Sequence, residues 1–344
     1  MYKRQLVDWV EGEYLILEAY PDYWQGAPKV ERVIWQEYAT EDAIVQALLA
    51  GEVDVVYELP RTAIATLEGR EDVGLAVMPS TVIDELIINS HEDGTQPASL
   101  NDPQVRLAIA HAIDKQQIVN VAFLGYAEPA TGVIPRSMGD WYNSDLADVP
   151  YDLDEGNRIL DEAGFLDGDG DGVREDAEGN PLEYRLYAED DATETRILEI
   201  ISDGLAQIGI SAPPTPMDED SLIALYPDFD FDMILWGWGL DPDPDFAMLI
   251  FTCDQREEGG WNDSGYCDEE FDQMYHQQAV TVDREERRQI IWEMQQKLFD
   301  ERPYIVLDYE QWVQAYRSDR FTGFGLEAGD ILWKSSFLPA TPVQ

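Results

Sequence analysis

The stretch VERVIWQEYATEDAIVQALLAGEVDVVY, Val30–Tyr57, decides how the chain is read. Val30 to Tyr38 is rich in β-branched and aromatic side chains and reads as a strand. Thr40 is a good helix N-cap, because its hydroxyl can accept from a first-turn backbone N–H that has no partner inside the helix. Ile44, Ala47 and Leu48 then fall on one face. Gly51 stands where a helix C-terminus favours a left-handed residue, and Val53 to Tyr57 returns as a strand. A short strand–helix–strand unit is the building block of α/β lobes.

The pattern extends in both directions. Upstream, Tyr14-Leu15-Ile16-Leu17 reads as a strand, set off by the breaker-rich turn Pro21 to Pro28. Downstream, residues 83–90 form a strand ending at Asn89-Ser90. Asp102-Pro103 supplies an N-cap and a proline at the first helical position, with Val105, Ala108, Ile109 and Ala112 at helical spacing. A second helix follows Asp114-Lys115 and ends near Gly125. Helices are also expected over Asp154 to Ala163 and over Thr193 to Ile208. Another runs from the capping box Asp283/Glu286 to a stop at Pro303. Asp232 to Trp238 and Tyr304 to Leu307 read as strands. No internal repeat and no domain linker stands out.

Charge narrows the function. Lys+Arg is 22 and Asp+Glu 71, a net charge of −49, and only five of the cations are lysine. Phosphate binding needs a positive surface, so a nucleic-acid partner is not expected. Anionic lipid headgroups would also be repelled. Such acidity suits a halophilic protein working in high salt, where screening weakens self-repulsion; an ordinary acidic secreted protein is the alternative. With 44% hydrophobic residues and 11% aromatic, the chain can bury a substantial core and line a ligand cleft. No apolar run is long enough to span a membrane.

Residues 167–178 follow the calcium-loop spacing. Asp167, Asp169, Asp171, Gly172 and Glu178 occupy positions 1, 3, 5, 6 and 12, and Val173 would offer its carbonyl at position 7. Arg174 at position 8 and the strand-like flank Asn180-Pro181-Leu182 argue against a full EF-hand. A lone structural Ca²⁺ turn and an unmetallated acidic turn both remain open, and no cofactor is otherwise required. The three histidines show no metal spacing, and no nucleophile motif is present.

Five segments, in order, resemble one family. They are Leu17-Glu18-Ala19-Tyr20-Pro21-Asp22-Tyr23-Trp24, with Tyr20 in place of the usual asparagine; Ala47-Leu48-Leu49-Ala50-Gly51-Glu52-Val53-Asp54; Asn101-Asp102-Pro103-Gln104-Val105-Arg106-Leu107-Ala108 with Ala112-Ile113-Asp114-Lys115; Tyr151 to Asp154 with Leu160 to Phe165; and Trp236-Gly237-Trp238-Gly239-Leu240-Asp241-Pro242. The chain resembles the extracytoplasmic solute-binding proteins of ABC importers, family 5, over nearly its whole length. The resemblance implies an α/β, two-lobed fold with mixed sheets, of the periplasmic-binding-protein type II kind. It implies no enzymatic activity and a monomeric receptor that closes on a solute, most plainly a peptide, and delivers it to a membrane permease. Sugar- and nickel-complex-binding members are alternatives. It places the protein in the periplasm or at the cell surface, exported and anchored. Met1 to Gln5 shows no signal segment and fits no family pattern; by the position of its motifs the chain resembles roughly the last two-thirds of a member, and the first lobe is expected to be incomplete. That lobe is expected at 1–90 and 310–344, and the second at 91–309.

Asp241 would pair with a peptide's N-terminal ammonium, as the matching aspartate does in peptide-binding relatives; capping the turn before Pro242 is its alternative role. Trp236 and Trp238, two apart on a strand, share one face, which serves as core or as a stacking platform. Asn89 would bond the ligand backbone or cap a turn. In an exported protein Cys253 and Cys267 would form a disulfide, with two buried thiols as the alternative. Two other classes compete: an acidic hydrolase with paired carboxylates of opposite pKa shift, and a calcium-dependent adhesion module.

Overall fold

The computed structural model describes residues 3–24, 26–57, 59–257, 259–324 and 341–343. Met1, Tyr2 and residues 325–340, on which part of the expected first lobe falls, lie outside them. Two compact units form: Met1–Ser80 with Gln311–Gln344, and Thr81–Glu310. The chain passes between units inside two long strands, at Ser80/Thr81 and Glu310/Gln311. A continuous strand carries no turn residue to mark such a passage.

The first unit starts with an antiparallel meander of β1 (Arg4–Val10), β2 (Tyr14–Ala19) and β3 (Arg32–Gln36). Helix α1 (Glu41–Ala50) follows, capped by the Thr40 hydroxyl on the Ala43 N–H at 3.3 Å. Gly51 closes it at φ 73°, a conformation costly for any residue with a Cβ. Next come β4 (Val55–Val56) and α2 (Arg61–Leu67). Strand β5 (Val73–Ile88) is twice the length that its apolar end suggested. Strand β10 (Tyr304–Arg317) returns to pair Ala315 with Val56, and the short β11 (Phe321–Thr322) and β12 (Thr341–Pro342) complete the unit.

The second unit holds α3 (Pro103–Ala112), α4 (Lys115–Val121), β6 (Ala127–Pro129), α5 (Leu153–Ala163), β7 (Leu186–Glu189), α6 (Ala192–Gln207) and β8 (Pro214–Met217). Then follow α7 (Glu219–Ile223), β9 (Met233–Gly239), α8 (Asp245–Leu249), α9 (Glu269–Val280) and α10 (Arg284–Glu301). Its strands run β6-β10-β5-β9-β7-β8. The β5–β9 pair is antiparallel and β7 is parallel to both β9 and β8, so the sheet is mixed. Alternation along the strands feeds two cores. Leu86, Ile88, Met233 and Leu235 pack with α3, α5 and α6, while Ile83, Ile87 and Ile234 pack with α10 and a set of aromatics.

The buried Arg106 knits this unit together. Its guanidinium donates to the Leu100 carbonyl (2.9 Å), the Ser90 hydroxyl (3.0 Å) and, over 3.3–3.4 Å, to Asn101 Oδ1 and the Asn89, Glu301 and Arg302 carbonyls. Burial lowers its pKa to about 10.

Candidate functional site

Strand β9 carries the site. Its residues pair with β5 from Ile88↔Met233 to Val82↔Gly239. On its other side β7 pairs only at Met233 and Ile234, so among the described residues no strand covers that edge of 235–239. Trp236 and Trp238 share one face, both half-buried on the aromatic core. On the opposite face a Cβ at position 237 would come within 2.6 Å of Asp84 Oδ1, so glycine is needed for the side chain of the neighbouring strand. The Thr81 hydroxyl donates to the Leu240 carbonyl (2.6 Å) and Leu240 N–H to the Thr81 carbonyl (3.1 Å), which pins the strand's end.

Beyond that pin the three aspartates part company. Asp243 accepts both ends of the Arg287 guanidinium, at 2.6 and 2.7 Å, and that pairing holds its carboxyl below the usual range. Asp245 accepts from Gln278 Nε2 at 2.7 Å. Asp241 is exposed and makes no hydrogen bond or ion pair among the described residues, so it does not cap the turn before Pro242. Asp243 and Asp245 are tied to α9 and α10, and Asp241 is the acid left for another partner.

Trp238 stands in an aromatic trio, edge-to-face with Phe246 (5.6 Å between centroids) and Trp261 (6.0 Å). Its indole N–H donates to Asp263 Oδ2 (3.1 Å) and to the Tyr304 hydroxyl (3.2 Å), and Tyr304 in turn donates to Asp263 Oδ1. Asp263 and Trp261 sit on the loop closed by the Cys253–Cys267 disulfide, whose Cα atoms are 4.6 Å apart. The buried Asn262 staples that loop from inside, donating to the Thr252 and Tyr266 carbonyls at 3.0 and 2.8 Å. Burial raises the Asp263 carboxyl to about 7, although the hydrogen bonds it accepts oppose the shift. Trp236 meets Tyr226 edge-to-face at 6.0 Å.

Asn89 is corrected by the structure. It is 0% exposed, its amide donates to the Phe229 and Phe231 carbonyls (2.8 and 2.7 Å), and its Oδ1 accepts from His91 N–H (3.0 Å). Every polar atom of that side chain is used, so Asn89 braces the strand end and has nothing left for a ligand. The acidic turn is also revised. Asp167, Asp169, Asp171 and Glu175 bring one oxygen each within 4.8 Å of one another. The fourth carboxylate is Glu175 rather than Glu178, because Glu175 pairs back across the turn with Leu166 and Pro181. The Val173 N–H donates to Asp171 Oδ1 (2.8 Å), and Arg174 turns away to Asp161 and the Ile208 carbonyl. Hard oxygen donors so close together could hold a divalent cation.

Asp263, Trp261, Phe246, Tyr304 and Glu85 went unnoticed in the sequence. A tryptophan alone in a glycine-rich loop, as at 261, was the one available signal.

Comparison with known proteins supplies the family. The family model described as bacterial extracellular solute-binding proteins, family 5 Middle, matches residues 5–259. The glutathione-binding protein GsiB of Salmonella choleraesuis is 27% identical over 329 residues, covering 93% of this chain and 60% of that protein. GsiB of Escherichia coli O157:H7 is 26% identical over the same span. The chain thus spans about 60% of the length of the curated relatives it matches. Among solved structures, the oligopeptide-binding protein AppA of Bacillus subtilis in complex with a nonapeptide is similar at TM-score 0.76 and 23% identity, over 99% of this chain and 66% of that one. NikZ of Campylobacter jejuni in complex with Ni(L-His) is similar at TM-score 0.77 and 23% identity, over 95% and 64%. These likenesses show a shared fold, the mixed α/β architecture of the solute-binding proteins. No helix among the described residues is long and apolar enough to cross a membrane. With three-quarters of its length matched by the family model, the chain belongs to the family 5 bacterial extracellular solute-binding proteins.

Proposed function

We propose that this chain is the solute-capturing part of a receptor for an ABC importer, and that its solute is a peptide. The observation that carries the reading is Asp241, an exposed carboxylate that among the described residues has no partner and stands at the end of a strand whose edge no other strand covers, beside two half-buried tryptophans. The carboxylate would take the peptide's ammonium through charge-assisted hydrogen bonds. The open edge of 235–239 would take its backbone as an added strand, so side chains are accepted without being read. The receptor transforms nothing. Delivery to a membrane permease, and export to the periplasm or cell surface, follow from the same reading. The name of the relative GsiB, a glutathione-binding protein, favours a peptide over a nickel complex.

Calorimetric titration of the chain with short peptides tests this directly. Asp241→Asn should weaken binding about tenfold or more, roughly 1.4 kcal/mol, and acetylating the peptide N-terminus should weaken it similarly. Equal affinity for the native chain and the variant would remove the ammonium anchor.

A further inference from the structure

Beneath the two tryptophans lies a group of acids that the capture of a solute does not use. Side chains alternate along strands, so Glu85 on β5 shares a face with Ile83 and Ile87 and lies opposite Trp236 of β9. Glu85 is 0% exposed, and neither of its oxygens has a hydrogen-bond partner among the described residues. The Tyr226 hydroxyl, on the ring that meets Trp236, is buried without one as well. Asp263, 8% exposed, reaches the same face from its loop and holds Trp238 and Tyr304.

Among the described residues, the charges acting on Glu85 are negative. Asp263 comes first, then Asp84, which lies on the opposite face against Gly237, then Asp308 on β10. Among the described residues, Lys115 is a cation that acts on Asp308, with Arg302 near it. Its ammonium is already committed to the Ala130 carbonyl at 2.7 Å and to Asp148 at 3.5 Å. The rings of Trp236, Trp238, Tyr226 and Tyr304 bring no charge at neutral pH. A carboxylate in such a place gains neither a counter-ion nor a donor, and a group so placed keeps its proton. A metal ion fits poorly, because these carboxylates do not gather into a donor set within 4.8 Å as those of the 167–175 turn do.

We propose that Glu85 and Asp263 form a proton-holding group in which Glu85 stays neutral, Asp263 exchanges its proton with solvent, and the Trp238 indole is set by that exchange. When Asp263 is ionised, the indole N–H and the Tyr304 O–H donate to a charged acceptor, and such bonds are shorter and stronger. When Asp263 is protonated, one of its oxygens becomes a donor, the charge assistance is lost and Trp238 is held less firmly. The ring in question faces the trio with Phe246 and Trp261, so the pH of the surroundings tunes the platform next to the open strand.

The experiment uses the chain without solute, so its result stands whatever the solute proves to be. Tryptophan fluorescence is followed from pH 5 to 9 in the native chain, Asp263→Asn and Trp238→Phe, with circular dichroism reporting the fold. In parallel, the infrared carbonyl band of protonated carboxylic acids is recorded at pH 8 for the native chain and Glu85→Gln. A fluorescence transition between pH 5 and 9 that both Asp263→Asn and Trp238→Phe abolish, together with a pH 8 band that Glu85→Gln removes, is the expected result. No such band in the native chain, or a transition that persists in Asp263→Asn, overturns the proposal. The native infrared measurement decides even where a variant fails to fold.

Discussion

Replacing Asn89 by alanine separates bracing from binding. The Asn89 amide donates two hydrogen bonds, at 2.8 and 2.7 Å, and accepts a third at 3.0 Å, all in a fully buried setting. Alanine leaves the Phe229 and Phe231 carbonyls and the His91 N–H without that partner. Each orphaned buried group costs about 1–3 kcal/mol, and a water entering the small polar space would recover part of the loss. A net destabilisation of roughly 3–5 kcal/mol follows, which for a unit of this size lowers Tm by about 10 °C. Asn89→Asp should be at least as harmful at neutral pH, since it turns two donors into acceptors facing carbonyls. Urea unfolding followed by far-ultraviolet circular dichroism measures the stability, and calorimetry on the folded fraction measures solute affinity. Affinity should stay within about twofold of native once folding is accounted for. A variant with native stability and a tenfold loss of affinity would refute the reasoning and return Asn89 to the ligand.

Reducing Cys253–Cys267 frees a loop with a sequence separation of 14. The chain-entropy picture gives a loss of about 3 kcal/mol, read as a lower Tm in reductant that Cys253→Ser with Cys267→Ser reproduces. Equal melting curves would contradict it. Burial raises the Glu194 carboxyl from the usual 4.5 to about 7. The folded state therefore holds an extra proton between those values, so the contribution of Glu194 to stability is fully present below pH 4.5 and is lost as pH rises through 7. Glu194→Gln should flatten that part of the Tm–pH curve, and an unchanged slope would show that Glu194 is not its source. Millimolar Ca²⁺ should raise Tm through the 167–175 carboxylates, with the shift lost in Asp169→Asn; no shift in the native chain would leave the turn without a cation. Going from about 0.1 to 1 M NaCl should raise Tm by several degrees as the screening length shrinks from about 10 to 3 Å, and a falling Tm would show that repulsion among the −49 charges is not the limiting term.

Local signals in this chain were legible because they act over a few residues. Thr40 and Gly51 bound α1, Asp102 with Pro103 opens α3, and Asp283 starts α10 by accepting from the Glu285 and Glu286 N–H groups. Hydrophobic alternation at 233–238 marked the strand and put both tryptophans on one side. The motif order carried the family, because those segments sit at caps and turns where few residue types are tolerated. What the residues alone could not decide was which polar groups would be left over. Asp241 and Asp243 look alike in the sequence, and they differ because Arg287, 44 positions beyond Asp243, folds back onto one of them. Asn89 could not be known as a brace until residues 229–231 lay against it. Asp263 joined the site only when Trp238 and Tyr304, 25 and 41 positions away, came within hydrogen-bond reach. Burial and partner choice depend on which distant segments become neighbours, and that is settled by packing rather than by local chain preference.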